Sequence, residues 1–288
     1  MNTTLRAAIW MIGAISSFTA MAVSGRLLGG QFDTFEIMMY RSIFGLFIVL
    51  IVARWAGTLG QINRDALGLQ VIRNLVHFSG QNLWFYALTI IPLAQLFAFE
   101  FTTPLWVIVL APLLLGERLT PMGALAALMG FVGILIVARP SVESINSGMI
   151  AAAACAIFFA LTFITTKKLT TRQSITGIMF YLTLLQLIFG LITAGHDGEI
   201  ARPTSAALPL LLLIGACGLV AHFCITKALS LAPATVVSPI DFARLPVIAV
   251  IGMLAFDEAL DIWVIVGAVI IFAGNYLNIW NETRRSRL

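Results

Sequence analysis

Residues 70–90 of this chain carry polar side chains at a spacing that could form a binding surface. Four of them share one face of a predicted helix: Asn74, His77, Gln81 and Trp84. Intervals of three and four residues match the turn of an α-helix, so these side chains point the same way. Imidazole and amide groups donate and accept hydrogen bonds, and an indole offers a ring for stacking. The pattern predicts a site that holds a polar small molecule against an aromatic wall.

A second histidine extends this prediction to the other half of the chain. His222 lies 222 − 81 = 141 residues after Gln81, and the same interval separates many other matching residues. We expect both side chains to reach the same level of one cavity, although polar groups in apolar helices also serve as simple interhelical hydrogen bonds. The residues predicted to bind a ligand are His77, Gln81, Trp84, Phe99, Phe158, Thr162, Phe163 and His222.

Composition decides what kind of element positions these residues. Of the 288 residues, 60% are hydrophobic and 10% are charged, whereas soluble domains average about 45–50% apolar and 25% charged residues. The charges cluster and leave apolar runs of roughly 20 residues, the length that crosses a hydrocarbon core about 30 Å thick. We predict an all-α polytopic membrane protein with ten transmembrane helices. The predicted spans are about 7–28, 34–55, 70–90, 93–115, 120–138, 147–166, 175–195, 207–230, 234–256 and 262–280.

Charged residues inside these spans form a second candidate group. A charge at the bilayer centre costs about 2.5–3.5 kcal/mol, so each one needs a partner or a function. Asp241 and Arg244 lie three residues apart on one helical face and can pair. Glu100 must find its cation, Arg41 or Arg244, on another span, or it stays protonated and could transfer a coupling proton. The candidate coupling or gating charges are Glu100, Asp241, Arg244 and Arg41.

The distribution of lysine and arginine predicts the orientation of the chain. With a cytoplasmic N-terminus, eleven loop cations fall on the cytoplasmic side, and three fall on the other, Arg26, Arg139 and Arg202. An excess of these residues in short loops marks the cytoplasmic side. We predict a multi-pass protein of the cell (inner) membrane with both termini cytoplasmic. The eleven are Arg6, Arg54, Arg64, Arg73, Arg118, Lys167, Lys168, Arg172, Arg284, Arg285 and Arg287.

The chain repeats itself at an interval of 141 residues. Residues 87–96 read ALTIIPLAQL, and residues 228–237 read ALSLAPATVV. Proline lacks an N–H and disfavours helix in the residue before it, so Pro92 and Pro233 are predicted to form hairpins or hinges. Other pairs in this register are Phe18 and Phe159, Arg26 and Lys167, Tyr40 and Tyr181, Glu100 and Asp241, and Gly133 and Gly274.

This register divides the chain into two five-span repeats, residues 1–140 and 141–288. An odd number of spans inserts the second copy upside down, and inverted repeats are a common plan of secondary transporters. We therefore predict two inverted five-helix repeats around a central cavity that receives a small-molecule substrate. Duplication without a transport role is the alternative.

Residues 87–137 resemble the EamA-type repeat of the drug/metabolite transporter (DMT) superfamily. The shared features are the hairpin proline Pro92, the mid-helix Pro104, the LGERL loop at 115–119 and the glycines spaced along the last helix. The second copy departs from the pattern, because DEAL stands at 257–260 and its helix proline, Pro246, is one residue off the register.

Within the superfamily, the chain is most similar to bacterial ten-span exporters, including the aromatic amino acid exporters. The resemblance implies a basket of helices that exports neutral, aromatic or large apolar, amino acids and related metabolites by alternating access. A broad-specificity drug or toxic-metabolite efflux permease is the alternative. The two hypotheses make different predictions. Amino-acid export requires fixed polar side chains that bind the zwitterion, whereas efflux of varied drugs tolerates the loss of these side chains.

Other classes of protein lack the residues that they need. No HExxH motif and no Gly-rich phosphate loop occur, so we predict no enzyme, no cofactor and no metal site. The basic residues are dispersed, which argues against nucleic acid as a partner. The three cysteines lie in apolar runs and are interpreted as packing residues. The expected partners are the substrate and the lipid bilayer, with proton coupling as a hypothesis and a monomer or weak homodimer as the assembly.

Overall fold

The described part of the chain is built from helices. The computed structural model describes residues 3–28, 30–116, 120–138, 146–196, 198–257 and 262–285, and within these ranges there is no strand. The helices are α1 (Thr3–Leu27), α2 (Thr34–Trp55), α3 (Leu67–Ile90), α4 (Leu93–Glu100), α5 (Thr103–Leu115), α6 (Pro121–Ala138), α7 (Ser147–Thr170), α8 (Ile175–Thr193), α9 (Ala207–Leu231), α10 (Ala234–Ile240), α11 (Arg244–Phe256) and α12 (Ile262–Arg285).

Many of these helices have the length and hydropathy of membrane spans. Among the described residues, six segments are long and apolar enough to cross a bilayer: Thr3–Leu27, Thr34–Trp55, Ser147–Thr170, Ile175–Thr193, Ala207–Leu231 and Val236–Phe256. Two shorter apolar helices, Thr103–Leu115 and Pro121–Gly133, accompany them. The predicted all-α membrane class is confirmed, and the number of ten spans stays a prediction.

The second helix of each repeat begins at a side-chain cap. Asp33 Oδ1 accepts a hydrogen bond from the backbone N–H of Glu36 at 2.8 Å, and the Glu36 carboxylate accepts one from the N–H of Asp33. This reciprocal pair satisfies N–H groups that a helix start leaves free. In the second repeat, Ser174 Oγ caps α8 through the N–H of Gly177. Since 174 − 33 = 141, both caps occupy one position of the repeat.

The predicted fourth and ninth spans are each broken in the structure, which corrects the expectation of continuous helices. Residues 101 and 102 separate α4 from α5, and the 3₁₀ turn Asp241–Ala243 separates α10 from α11. Thr103 Oγ1 donates to the Glu100 carbonyl at 2.6 Å and so replaces a lost backbone bond. The prolines that follow, Pro104 and Pro246, supply no N–H to continue the ladder. Discontinuous helices are where membrane carriers place polar sites.

The helices of the two repeats pack reciprocally. The first helix of each repeat packs against the third helix of the other, which gives the pairs α1 with α9 and α7 with α3. The second helices, α2 and α8, pack on each other, as do the last helices, α6 and α12. Such exchange of partners is the signature of a two-fold relation between similar units. The cavity described below lies within this arrangement.

Two cations in this register fasten the ends of α3 and α9. Arg26, in the last turn of α1, and Lys167, near the end of α7, donate to carbonyls that precede the hairpin prolines. Helix ends leave such carbonyls without intrahelical partners. The acceptors are Leu88 and Ile91 for Arg26, and Leu229 and Ala232 for Lys167. Arg26 lies within the predicted first span, whereas Lys167 was expected just beyond the sixth span, and the structure places it in α7.

Replacing Lys167 by methionine is expected to lower the melting temperature by about 4–8 °C. The substitution removes two bonds from a charged donor, and the loss of about 2 kcal/mol shifts a domain of this size by that amount. Lys168→Met is the matched control, because Lys168 is exposed. Thermal unfolding in detergent measures both variants. Equal melting temperatures for the two would contradict a fastening role for Lys167.

Some predicted features fall on residues that the structure does not describe. These are residues 117–119 of the LGERL loop, residues 258–260 of the DEAL segment, and the loop cations Arg118, Arg139 and Arg287. The predicted boundary between residues 140 and 141 lies in such a stretch too. These expectations stay predictions.

Candidate functional site

A cavity lies where the two broken helices meet α3, α7 and α9. The empty space is about 770 Å³, including its opening. Its polar lining residues are Arg73, His77, Gln81, Glu100, Thr103, Thr162, Thr166, His222, Thr226, Ser238, Asp241 and Arg244. Its aromatic lining residues are Phe18, Trp84, Phe85, Phe101, Phe159 and Phe163. Both repeats therefore contribute polar groups and rings to one compartment.

The structure brings most of the predicted ligand-binding residues to this cavity. The six that line it are His77, Gln81, Trp84, Thr162, Phe163 and His222. Phe99 packs against the apolar core instead. Phe158 does not line the cavity; its Cβ lies against the α3 backbone, 2.9 Å from where a side-chain carbon on Gly80 would be. Its neighbour Phe159 takes the lining position, which corrects the prediction by one residue.

One guanidinium joins the two repeats at the cavity. Arg244 donates to Glu100 Oε1 and, at 2.7 Å, to Asp241 Oδ2. Trp84 Nε1 donates to the second Glu100 oxygen at 2.5 Å. The three charged residues are nearly fully buried. The sequence left the cation of Glu100 open between Arg41 and Arg244, and the structure selects Arg244.

Aromatic rings surround this arginine. The Arg244 guanidinium carbon lies 4.9 Å from the ring centroids of Phe18 and Phe97 and 5.2 Å from that of Phe101. A cation over a ring face is attracted to its π electrons, and the attraction grows where water is excluded. The rings therefore help to hold the guanidinium between the two carboxylates.

Arg41 lies apart from the other three candidate charges, and its role as a coupling or gating charge stays a prediction. It is buried on α2, where its Nη1 contacts the sulfur of Met38 at 3.9 Å. It lines a smaller pocket with side chains of α8 and α9, and Gly218 of α9 leaves the room that its guanidinium occupies. Arg41 therefore packs α2 against α9 and does not line the central cavity.

Arg73 is a cavity residue that the sequence reasoning missed. It was counted among the loop cations, whereas the structure places it on α3 with 1% exposure. Its Nε donates to Thr166 Oγ1 at 3.2 Å, and its Nη1 donates to Asn74 Oδ1 at 2.9 Å. Asn74 itself is used in this bond and does not line the cavity. The sequence could have indicated this position, because Arg73 lies four residues before His77 and therefore extends the polar stripe of α3 by one turn.

Two histidines from opposite repeats meet in the cavity. The ring centroids of His77 and His222 lie 4.4 Å apart, with the planes perpendicular. Phe18 and Phe159 pack against these rings at 5.5 and 6.2 Å. Neither nitrogen of His77 has a hydrogen-bond partner among the described residues, and Nε2 of His222 has none either. These imidazoles are therefore free to bind a further polar group.

Unpartnered polar atoms concentrate in this cavity. Seven buried atoms of its lining have no hydrogen-bond partner within the described ranges: His77 Nδ1, His77 Nε2, His222 Nε2, Thr226 Oγ1, Ser238 Oγ, Asp241 Oδ1 and Arg244 Nε. A buried polar group left unpaired costs about 1–3 kcal/mol, so such a cluster indicates a place that a polar ligand or water fills. No three metal-ligating side chains come together within the part of the chain that the structure describes.

A family model agrees with the repeat. The model described as the EamA-like transporter family matches residues 5–139 and 146–280. The second match starts 146 − 5 = 141 residues after the first, which is the interval read from the sequence. A solved crystal structure superposes with a TM-score of 0.80, covering 97% of this chain and 98% of the other at 16% identity. At that identity the likeness shows the fold alone.

Named relatives are transporters of two different metabolites. A protein of Rickettsia bellii, named an S-adenosylmethionine uptake transporter, is 27% identical over 96% of this chain and 94% of its own length. A riboflavin transporter of Brucella anthropi is 28% identical over 96% and 99%. A riboflavin transporter of Rhizobium johnstonii is 32% identical over 72% and 68%.

Proposed function

This chain belongs to the EamA-like transporter family, and from that premise we propose that it moves a metabolite bearing a planar ring and polar groups through the central cavity. It is a multi-pass helical membrane transporter and not an enzyme. Alternating access is the proposed mechanism, in which the two repeats open the cavity to one side of the membrane at a time.

The unpartnered polar atoms of the cavity support this proposal most directly. They belong to residues of both repeats that line one compartment, and other lining residues of that compartment are aromatic. A ligand that supplies hydrogen-bond partners there removes the cost of leaving them unpaired. Rings of Trp84, Phe159 and Phe163 offer stacking surfaces for a planar group. A molecule with a planar ring and hydrogen-bonding groups can contact both the aromatic and the polar lining residues, whereas a simple ion can contact only the polar ones.

The finer prediction of amino-acid export is not supported by the relatives. Their names specify S-adenosylmethionine uptake and riboflavin transport. These two molecules and the aromatic amino acids share a flat ring joined to a hydrogen-bonding chain, which is the substrate class that we propose. The proposal does not specify import or export, because in alternating access the gradients of the substrate and of any coupling ion set the direction of transport.

The arrangement of the repeats favours alternating access. The fastened helix ends at Arg26 and Lys167 occupy equivalent positions of the two copies. Inverted insertion would place one at each face of the membrane, where each could close one entrance. The inverted topology, the cytoplasmic termini, the inner-membrane location and a monomeric or weakly dimeric state are part of this proposal. Reporter fusions at both termini, read for cytoplasmic activity, test the orientation.

Counterflow in proteoliposomes tests the function without knowledge of the coupling ion. Vesicles preloaded with an unlabelled compound are expected to accumulate the labelled form of at least one of S-adenosylmethionine, riboflavin, phenylalanine or tryptophan. Threonine, which has no ring, is the control compound. Movement of a lipophilic cation alone would instead favour the broad drug efflux permease and exclude the proposed substrate class.

Replacing Gln81 or His222 by alanine is expected to reduce transport about tenfold, because each change removes hydrogen bonds worth about 1.4 kcal/mol to the substrate. Ser16→Ala is the control, since Ser16 is exposed on α1 and does not line the cavity. Initial transport rates at equal protein content measure the three variants. Full activity of both cavity variants would favour the drug efflux alternative, which tolerates such losses.

Proton coupling through Glu100 stays a hypothesis. Its carboxylate is bonded to Arg244 and Trp84, so a proton would have to compete with both donors. Transport by Glu100→Gln that keeps the full pH dependence of the native protein would exclude the hypothesis.

A further inference from the structure

The charges at the helix breaks do not balance. Glu100 and Asp241 bring two carboxylates, and Arg244 brings one guanidinium. The three residues are 7%, 8% and 2% exposed. No second cation among the described residues lies within 4.0 Å of either carboxylate. A surplus negative charge in a low-dielectric site is unfavourable unless a positive group or a proton neutralises it.

The negative charge that lacks a full set of partners is the carboxylate of Asp241, in the second repeat. Both oxygens of Glu100 receive hydrogen bonds, one from Arg244 and one from Trp84. Asp241 receives one bond at Oδ2, and its Oδ1 is buried without a partner. The two carboxylates are equivalent positions of the repeat, since 241 − 100 = 141. Among the described residues, Asp241 Oδ1 is therefore the one oxygen of these two carboxylates that accepts no hydrogen bond.

A second unpartnered oxygen lies beside it in the chain. Ser238 precedes Asp241 by three residues, lines the same cavity and is 1% exposed. Its Oγ has no hydrogen-bond partner among the described residues. The hydroxyl oxygen can accept a hydrogen bond while a carboxylate supplies charge, and an ammonium group uses both interactions. A sulfonium has no N–H and would use the carboxylate charge alone.

We propose that Asp241 Oδ1 and Ser238 Oγ bind a positively charged group of the substrate. This inference rests on the proposed function and names its substrate class: metabolites with an ammonium or sulfonium group next to a planar ring. A substrate cation brings the site to two positive and two negative charges. A neutral ring compound such as riboflavin leaves the Asp241 carboxylate uncompensated and is expected to bind more weakly.

The test compares ligands that differ by one positive charge. S-adenosylmethionine and S-adenosylhomocysteine differ by the methyl group that makes the sulfur cationic, and tryptophan and indole-3-propionate differ by the ammonium group. Isothermal titration of the full-length protein in detergent measures all four. In at least one pair, the compound with the additional positive charge is expected to bind at least about tenfold more tightly than the other. Equal affinity within both pairs, or binding of none of the four, overturns the inference.

Variants assign the preference to the proposed atoms. Asp241→Asn is expected to reduce the cation preference to about one, and Asp65→Asn is the matched control because Asp65 is exposed. Ser238→Ala removes a single hydroxyl, so it tests the site even if Asp241→Asn fails to fold; it is expected to reduce the preference about threefold. A preference unchanged in the variants that fold overturns the assignment.

Failure of this inference is distinguishable from failure of the proposed function. Proteoliposomes that move riboflavin and ignore S-adenosylmethionine and tryptophan would uphold transport and overturn the cation site. Selective binding of the cationic ligands without movement of any compound would uphold the site and overturn transport.

Discussion

Replacing Arg244 by glutamine is expected to reduce transport by more than about 100-fold and to destabilise the protein. The change leaves Glu100 and Asp241 buried together without their shared cation. Removing one partner of a buried ion pair costs about 3–5 kcal/mol, and each 1.36 kcal/mol corresponds to a factor of ten. Transport rates normalised to protein content, together with thermal unfolding in detergent, measure the two effects.

A second variant separates the loss of stability from the loss of function. In the combination of Glu100→Gln, Asp241→Asn and Arg244→Gln, no charge is left uncompensated, and amides keep the hydrogen bonding. This variant is expected to melt near the native protein and yet to transport poorly. Arg172→Gln, on an exposed position, is the control for loss of a cation. Native transport rates in the single Arg244 variant or in the triple variant would contradict a role for these charges in transport.

Arg73→Gln is expected to reduce the initial transport rate, measured at equal protein content, by about 10–100-fold. Arg73 extends the stripe of His77 and Gln81, and among the described residues it donates to the neutral oxygens of Thr166 and Asn74. Its positive charge is therefore available to an anionic group of the substrate. Hydrogen bonds to charged groups contribute about 1.5–3 kcal/mol, which corresponds to that range of rates.

Arg64→Gln is the matched control for this prediction, because Arg64 is exposed before α3 begins. Arg73→Lys keeps the charge without the planar fork and is expected to restore part of the rate. If Arg73→Gln and Arg64→Gln transported equally well, the role assigned to the Arg73 charge would be refuted.

The polar stripe of α3 shows how far sequence reasoning reached. Spacing alone placed His77, Gln81 and Trp84 on one face, and all three line the cavity. Arg73 continues that face but was missed, because counting lysines and arginines by side treats a cation near the end of a span as a loop residue. On α7, the spacing did not decide between Phe158 and Phe159, because periodicity fixes relative positions around a helix and not how the helix is turned toward its neighbours.

The helix breaks show another limit. The sequence predicted one span over residues 93–115 with Pro104 in mid-helix, because a proline in an apolar run does not by itself show whether the helix kinks or breaks. At the break, the hydroxyl of Thr103 also donates to the carbonyl of Ala156 on α7. That partner is 53 residues away in the chain, so no local pattern could indicate it.

The sequence by itself determined the membrane class, most of the helical segments, the repeat of 141 residues and the membership in a transporter family. These properties follow from composition, from the spacing of apolar residues and from the repeated order of residues. Each can be seen in a short stretch of sequence or by comparing one half of the chain with the other. The tertiary structure alone decided that Arg244 rather than Arg41 neutralises Glu100, that Arg73 joins the cavity, and that Asp241 keeps an unpartnered oxygen. Each of these depends on how helices distant in the chain are rotated and packed against one another, and side-chain contacts across such distances are fixed only when the whole bundle assembles.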